Sequence, residues 1–411
     1  MMFRVMSGRA FLQIPGPTNI PDRVLRAMDR PLVDHRSPEF AQLTEDVRVG
    51  LRRVFGTRDG VPMLYPASGT GATEAAFVNV LRPSDRVLAF NCGFFGSAMG
   101  MIARRFGIEV DEVALRWGQA IDPNDVERKL RADTSSTKPY RAVLVVHNET
   151  STGVTNDVAA IRRAMDASGH GALLIVDTVS SLASIDFRMD EWGVDIIICG
   201  AQKGLMLPPG LGVLGVSRRA LAAAAAGGGL PRFFWDWEPI MRENRIGLFP
   251  YTPATAMLFG LRESLRLLVD EEGLENVFAR HARLADGVRA GVSGWGLDTV
   301  CEDPRTASNT ITAVRVPEGV DANELMKHAR ERYALSLGGG IGQLNGIAFR
   351  IGHLGSLNEL EVLATLAGVE LTFADLGLDV ELGSGVVAAQ RSFATRSDRE
   401  VRRIAELVAV S

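Results

Sequence analysis

Residues 172–204 read ALLIVDTVSSLASIDFRMDEWGVDIIICGAQKG, and the prediction of the fold starts from them. It contains two short apolar runs, 173–176 and 196–199, and each ends abruptly in polar residues. Continuous apolar runs of this length are typical of strands buried on both faces of a parallel sheet. Chemistry in open α/β sheets collects at the carboxyl ends of strands. We therefore expect Asp177, after the first run, and Lys203, after the second, on one rim of a sheet.

The two side chains could hold opposite ends of one aromatic ring, because adjacent parallel strands lie about 5 Å apart. Pyridoxal phosphate suits this arrangement. Its aldehyde forms a Schiff base with a lysine amine, and its ring nitrogen needs a carboxylate to stay protonated. We assign Lys203 to the first role and Asp177 to the second. Taken alone, however, such a pair more often reflects ordinary surface structure.

Six other segments extend the pattern: FLQIPGPTNIP, DHRSPEF, YPASGTGATEAA, VVHNETSTGV, FPYTP and FRIGHLGSLNELE. Together with VDTVSSLASIDFRMDEWGVDIIICGAQKGLMLPPGLGVLGVS, they resemble the class V aminotransferases of the fold-type I pyridoxal-phosphate superfamily. The serine–glyoxylate aminotransferase branch is the most similar. The segments follow the family's order from about residue 11 to residue 385. This resemblance implies an α/β fold with a mostly parallel large-domain sheet flanked by helices, and a smaller α+β C-terminal domain.

Composition excludes several other classes of function. The 411 residues carry a formal net charge of −4 and no basic stripe, so a nucleic-acid partner is not expected. Three widely spaced cysteines suit a reducing compartment. The N-terminus lacks a signal or transit pattern, and no run of about 18 apolar residues occurs. We expect a cytoplasmic protein without a membrane partner or a metal site.

The length favours two domains over one. Residues 1–20 contain Pro15 and Pro17 and are expected to form an extended N-terminal arm, since proline blocks helix and central strand alike. The remaining boundaries place the large cofactor-binding domain at 21–270, the small C-terminal domain at 271–385 and a tail at 386–411.

A second candidate site lies at the start of a helix. Ser68, Gly69 and Thr70 precede an apolar helical pattern that begins at Ala72. Helix starts present unpaired N–H groups and a positive dipole end, which bind phosphate. The local sequence also fits an ordinary helix capped by Ser68 or Thr70. The resemblance favours a phosphate cup.

Further roles follow from the resemblance alone. Phe95, rather than its neighbour Phe94, matches the position that stacks on the cofactor ring. Thr150 matches the residue that hydrogen-bonds the cofactor's phenolic oxygen, and Gln202 a cofactor contact beside the lysine. Tyr251 and Thr252 match a segment that reaches the phosphate of the opposite subunit, which implies a homodimer with active sites at the interface. For the substrate, the resemblance implies Gly16, and Arg350 as the partner of the carboxylate.

One glycine pattern points elsewhere and is rejected. Gly210, Gly212 and Gly215 satisfy G-x-G-x-x-G, but a dinucleotide site needs a strand before the glycines and a helix starting on them. Here the glycines lie within an apolar run, 211–217. This run follows Lys203 too closely for a crossover helix, so we expect an antiparallel strand at a sheet edge.

The resemblance predicts a transaminase that moves an amino group from L-serine to glyoxylate. In this reaction Lys203 also acts as general acid and base. Aspartate, alanine and ureidoglycine remain alternative donors. A cysteine desulfurase-like lyase is a remote alternative whose only C-terminal thiol would be Cys301. A cofactor-binding regulator would need a DNA-binding module, for which the short N-terminal arm leaves no room.

Overall fold

The computed structural model describes residues 8–226 and 229–395. The strands, numbered in chain order, are β1 (Phe11–Gln13), β2 (Val61–Tyr65), β3 (Arg86–Asn91), β4 (Glu109–Ala114), β5 (Tyr140–Val146), β6 (Asn148–Glu149), β7 (Val154–Thr155), β8 (Leu173–Asp177), β9 (Ile196–Gly200), β10 (Gly212–Val216), β11 (Ile311–Arg315), β12 (Leu335–Gly339) and β13 (Ala348–Gly352).

The helices are α1 (Asp22–Met28), α2 (Pro38–Phe55), α3 (Gly69–Val80), α4 (Phe94–Arg105), α5 (Pro123–Asp133), α6 (Val158–Ser168), α7 (Arg218–Ala225), α8 (Trp237–Asn244), α9 (Thr255–Leu265), α10 (Leu274–Gly294), α11 (Ala322–Tyr333) and α12 (Glu359–Asp375). A π-helical segment, Arg266–Glu271, continues α9. None of the helices in the described ranges is both long enough and apolar enough to cross a membrane.

A seven-stranded sheet with the order β2-β10-β9-β8-β5-β3-β4 forms the centre of the larger part. β8 and β9 are parallel neighbours, and Asp177 pairs with Ile198 in their register. This confirms the two buried strands predicted from residues 173–176 and 196–199. The four strands from β9 to β3 are mutually parallel, as is β4 beside β3, so their carboxyl ends share one rim.

For residues 211–217 the predicted antiparallel direction was right, but the predicted place at the edge of the sheet was wrong. β10 is antiparallel to β9, and Gly212 and Gly215 lie within the strand, so they form no dinucleotide site. However, β10 is not the edge, because β2 pairs antiparallel on its other side. The covering strand comes about 150 residues earlier in the chain, and no local pattern around β10 could indicate it.

Helices cover both faces of this sheet and form two cores. Along β8, Leu174 and Val176 belong to one core, while Leu173 and Ile175 belong to the other. This alternation is what a strand with two buried faces requires. The first core also takes in α2 and α9, and the second takes in α3 and α4.

A second sheet, of order β1-β12-β13-β11, forms the smaller part with α10, α11 and α12. Its edge strand β1 comes from the N-terminal segment and runs parallel to β12. A helix over 384–395 also packs here, since Ala389 and Phe393 are buried in its core. The predicted domain boundaries stay predictions, and residues 396–411 of the predicted tail lie outside the described residues.

Candidate active site

A cavity of about 350 Å³ opens where the carboxyl ends of β8 and β9 meet the start of α3. Most of the predicted site residues line it. These are Gly16, Ser68, Gly69, Thr70, Phe95, Thr150, Asp177, Gln202 and Lys203. The structure therefore brings the predicted carboxylate, the predicted lysine and the predicted phosphate cup to one space.

Asp177 and Lys203 both have pKa values shifted towards neutrality. Burial raises the pKa of Asp177 to about 7, although its Oδ1 accepts a hydrogen bond from the Val179 N–H at 2.8 Å. Burial, and next the positive charge of Arg350, lower the pKa of Lys203 to about 8. A lysine with such a pKa can be a neutral amine near physiological pH, as proton transfer requires.

The N-terminal segment holds Lys203 in place. The Nζ of Lys203 donates to the carbonyl oxygen of Pro15. Thr18 binds from the other side, since its N–H donates to the Gln202 carbonyl at 3.2 Å and its hydroxyl to the Lys203 carbonyl at 3.1 Å. Between them, a Cβ on Gly16 would lie 2.4 Å from Cδ of Lys203. Only glycine lets the segment approach the lysine this closely.

The start of α3 has the form of an anion site. Ser68 is its N-cap, and its hydroxyl accepts from the Gly71 N–H at 3.4 Å. The first N–H groups of a helix have no partner within the helix. A Cβ on Gly69 would lie 2.8 Å from Cγ2 of Val179, so this position is also closed to larger residues. The backbone at Gly69 and Thr70 is therefore available to a bound anion.

The structure distinguishes between the two candidate stacking rings. Both Phe94 and Phe95 begin α4, with their ring centroids 5.3 Å apart in an edge arrangement. Phe95 lines the cavity and Phe94 does not.

Arg350 lies behind Thr150 rather than on the cavity wall. Its guanidinium donates to the Gly339 carbonyl at 2.7 Å and to the Thr150 carbonyl at 3.0 Å. Burial lowers its pKa to about 10. Among the described residues, no carboxylate lies within ion-pair distance of Arg350. A buried guanidinium that has no carboxylate in direct contact can bind an anionic group.

Tyr251 and Thr252 do not reach the cavity of their own chain. The Tyr251 hydroxyl donates to the Leu64 carbonyl at 3.1 Å, and its ring stacks on Phe234 at a centroid distance of 4.7 Å. Thr252 is exposed.

Several wall residues were missed. Asn148 and Ser180 also line the cavity, and the Asn148 amide donates to the Ser180 hydroxyl at 2.8 Å and to the Thr310 hydroxyl at 2.9 Å. The signal that located Asp177 was polar sequence at the end of a buried apolar run, and it also applies to Asn148, which follows β5 after the single residue His147. Thr73, Val179 and Pro209 carry no such signal.

The functional groups of the cavity wall fit pyridoxal phosphate. It offers an amine, a carboxylate and a helix start, and two glycines at which a side chain would fill the space. The side-chain oxygen of Gln202 is buried and has no hydrogen-bond partner among the described residues. Within the same ranges, no group of three or more His, Cys, Asp or Glu could hold a metal ion.

The cavity lacks the cysteine that a desulfurase needs. None of the three cysteines, Cys92, Cys199 and Cys301, lines the cavity. Cys301 lines a separate space of about 10 Å³, and burial raises the pKa of its thiol. The mobile reactive thiol that such a lyase needs has no counterpart at this site.

The fold and the site define a fold-type I pyridoxal-phosphate-dependent enzyme. Within that class, the profile of the family Aminotransferase class-V matches residues 10–341, and the chain belongs to this family. It is a transaminase.

Two curated relatives and one solved structure illustrate the similarity. Serine–glyoxylate aminotransferase of Methylorubrum extorquens is 50% identical over 386 residues, which are 93% of this chain and 95% of that protein. L-aspartate–glyoxylate aminotransferase of Paracoccus denitrificans is 46% identical, over 92% of this chain and 95% of that protein. The crystal structure of ureidoglycine–glyoxylate aminotransferase from Bacillus subtilis is 29% identical. It superposes with a TM-score of 0.88 over 95% of this chain and 99% of that one.

Proposed function

We propose that the protein transfers the amino group of L-serine to glyoxylate, giving hydroxypyruvate and glycine. The observation that carries amino transfer is the cavity shared by Lys203 and Asp177. The choice of serine is supported by the relative from Methylorubrum extorquens. Aspartate is the alternative donor, because the relative from Paracoccus denitrificans is nearly as similar.

Pyridoxal phosphate, when bound, supplies the electron sink that makes the substrate Cα–H acidic. In this proposal Lys203 would hold the cofactor through its amine until the amine of the donor displaces it. The freed Lys203 amine would then take the Cα proton of the donor and deliver it to C4′ of the cofactor. Its lowered pKa, about 8, increases the fraction of neutral amine that this proton transfer needs. In the second stage the same residues act in reverse on glyoxylate.

The remaining residues bind and orient. Asp177 would face the ring nitrogen as a carboxylate, and Ser68, Gly69 and Thr70 would bind the phosphate. Phe95 would pack on the ring, Thr150 would hydrogen-bond the cofactor's phenolic oxygen, and Gln202 would contact the cofactor beside the lysine.

For the substrate, Arg350 would bind the carboxylate by two parallel hydrogen bonds, and Gly16 would pass along the bound amino acid. Of these two, only Gly16 already borders the cavity. The guanidinium of Arg350 has five N–H groups, and those not used on the Gly339 and Thr150 carbonyls remain for the carboxylate.

We also propose a homodimer in the cytoplasm. The exposed Thr252, and Tyr251 beside it, would contact the phosphate bound by the other subunit. Three free cysteines fit a reducing compartment.

The donor is tested by assaying purified protein with glyoxylate and, in turn, L-serine, L-aspartate, L-alanine and ureidoglycine. We expect kcat/KM to be highest with serine. A value for serine well below that for aspartate would overturn the choice of donor and leave amino transfer intact.

A further inference from the structure

Glu149 is a fully buried carboxylate that the proposed reaction does not use. It ends β6 and lies against the first turn of α4. One carboxylate oxygen, Oε2, accepts from the N–H groups of Phe95 at 2.9 Å and Gly96 at 3.0 Å. The other, Oε1, accepts from the N–H of Ser151 at 3.0 Å and from its hydroxyl at 2.7 Å.

This carboxylate connects residues of the site that come from separate elements. Phe95 is held directly through its N–H. Thr150 is the next residue in the chain, and its carbonyl oxygen accepts from Arg350 at 3.0 Å. The Ser151 hydroxyl, fixed by Glu149, accepts from the Phe94 N–H at 3.0 Å. The ring-stacking residue, the phenolic-oxygen contact and the arginine therefore depend on one turn.

The turn that contains Glu149 and Ser151 packs closely against Gly93. A Cβ on Gly93 would lie 2.4 Å from Cγ of Glu149 and 2.4 Å from the hydroxyl oxygen of Ser151. Glu149 also interacts with Arg350 through charge, because its negative charge partly offsets the cost of burying the guanidinium.

We propose that Glu149 is a positioning residue that fixes Phe95, Thr150 and Arg350 relative to one another around the cofactor. The inference rests on the roles proposed above for these three residues. It differs from ordinary helix capping, which would stabilise α4 without affecting what binds in the cavity.

The chain provides a matched control in Glu370. It is also a buried glutamate, and it accepts from the Trp295 indole at 3.0 Å and from the backbone of Gly383, Gly385 and Val386 at 2.7, 2.8 and 3.1 Å. It lies in the smaller part and does not line the cavity. Glu149→Gln and Glu370→Gln each turn one acceptor oxygen into a donor that faces other donors.

The test compares both variants with the wild type in two measurements that need no substrate. The first is the dissociation constant of pyridoxal phosphate, by titration of the apoprotein. The second is the visible circular dichroism of the bound cofactor, which reports the asymmetry of its surroundings. Both variants should unfold at a lower temperature. Only Glu149→Gln should weaken cofactor binding, by about tenfold or more (~1.4 kcal/mol), and change the dichroism band.

A third measurement addresses Arg350. In Glu149→Gln, the KM for the amino acid donor should rise by a larger factor than in Glu370→Gln, because Glu149 no longer holds the turn that carries Thr150, whose carbonyl oxygen fixes Arg350. Ser151→Ala is a milder variant that keeps the carboxylate, and it should change the dichroism band in the same direction to a smaller extent. It carries the test if Glu149→Gln does not fold.

Equal cofactor affinity and equal dichroism in the two glutamine variants would overturn the proposal and leave Glu149 a structural cap. An unchanged band in Ser151→Ala would do the same. Neither result depends on which amino donor is used. A failure of the serine–glyoxylate assay is therefore distinguishable from a failure here.

Discussion

At the scale of single residues, burial is the dominant influence on the site. It raises the pKa of one acid, Asp177, and lowers the pKa of one base, Lys203, so that both lie near neutrality. Perturbed pKa values of this kind cluster at functional sites. The same burial is unfavourable for the stability of the protein without cofactor, and this can be measured.

Asp177→Asn should stabilise the apoprotein in a pH-dependent way. The folded-state pKa of Asp177, about 7, lies above its ordinary 3.8. Its protonation therefore favours the fold at low pH, and this contribution is lost as the pH rises from about 4 to about 7. The substituted amide does not ionise and can still accept from Val179. Lys203 stays protonated in both states over this range.

The difference in free energy of unfolding between the variant and the wild type should therefore grow over that pH range, by on the order of 2 kcal/mol. Denaturant unfolding of the two apoproteins at pH 4.5 and pH 7 measures it. A difference that does not depend on pH would show that the carboxyl ionises as it does in water.

Gly16→Ala should lower activity through Lys203. The added Cβ would lie 2.4 Å from Cδ of Lys203, so the lysine must move. Misplacement of a reacting group by about 1 Å can cost about a hundredfold in rate. We expect a fall in kcat of that order, measured at saturating substrate.

Gly319→Ala controls for backbone strain. Like Gly16 (φ +114°), Gly319 has a positive φ, +85°, but its Cβ would meet nothing within 4 Å. Both substitutions should lower stability by about 1–2 kcal/mol, the cost of a left-handed conformation. A comparable loss of kcat in both variants would refute the role assigned to the Gly16 contact.

At the scale of elements, the start of α3 should serve both the fold and the cofactor. Ser68→Ala removes the N-cap of α3. Ser37→Ala removes the corresponding cap of α2, because the Ser37 hydroxyl accepts from the Phe40 N–H at 3.2 Å. Each should cost about 1 kcal/mol of stability. Only Ser68→Ala should also weaken binding of pyridoxal phosphate, by about tenfold. Equal cofactor affinity in the two variants would remove Ser68 from the phosphate site.

The elements that the sequence predicted are those with a local pattern. β8 and β9 are continuous apolar runs, and α3 combines a serine cap with an apolar helical pattern. β12 (LSLGG) was missed because it ends in glycines, which weaken any strand signal. β4 (EVDEVA) was missed because, at the sheet edge, its residues are only partly buried.

The residues of the site likewise fall into those with a local sequence signal and those placed by tertiary contacts. Asp177 follows one apolar run and Lys203 lies a few residues beyond another, which is a local signal, and the resemblance to the family supported their roles. The placement of Arg350 behind Thr150 depends on the docking of β13 against a turn 200 residues away, and no sequence pattern reports that. The support that Glu149 gives Phe95 is equally non-local.

At the scale of the whole molecule, the N-terminal segment connects the two sheets. β1 pairs with β12 in the smaller part, and five residues later Thr18 binds the carbonyls of Gln202 and Lys203 in the larger part. Gly352 allows this path, since a Cβ there would lie 2.1 Å from the Ile14 carbonyl oxygen. Movement of either part would be transmitted to the lysine.

Mixed subunits test the proposed dimer. Thr252→Asp should be inactive, because its carboxylate would repel the phosphate bound by the partner, and Lys203→Ala should be inactive in its own site. In a mixed dimer, one site has both defects and the other has none. Refolding the two variants together should therefore restore about a quarter of wild-type activity, since about half of the dimers are mixed. No recovery, or sedimentation as a monomer, would contradict the shared site.

The most direct test of the whole account is to find the lysine that carries the cofactor. The chain has four lysines, and Lys129, Lys138 and Lys327 form ion pairs with acidic side chains. Borohydride reduction of the protein with pyridoxal phosphate, followed by peptide mass spectrometry, identifies the modified residue. We predict stoichiometric labelling of Lys203, abolished in Lys203→Ala. Labelling of another lysine at that stoichiometry, or none at all, would contradict the site.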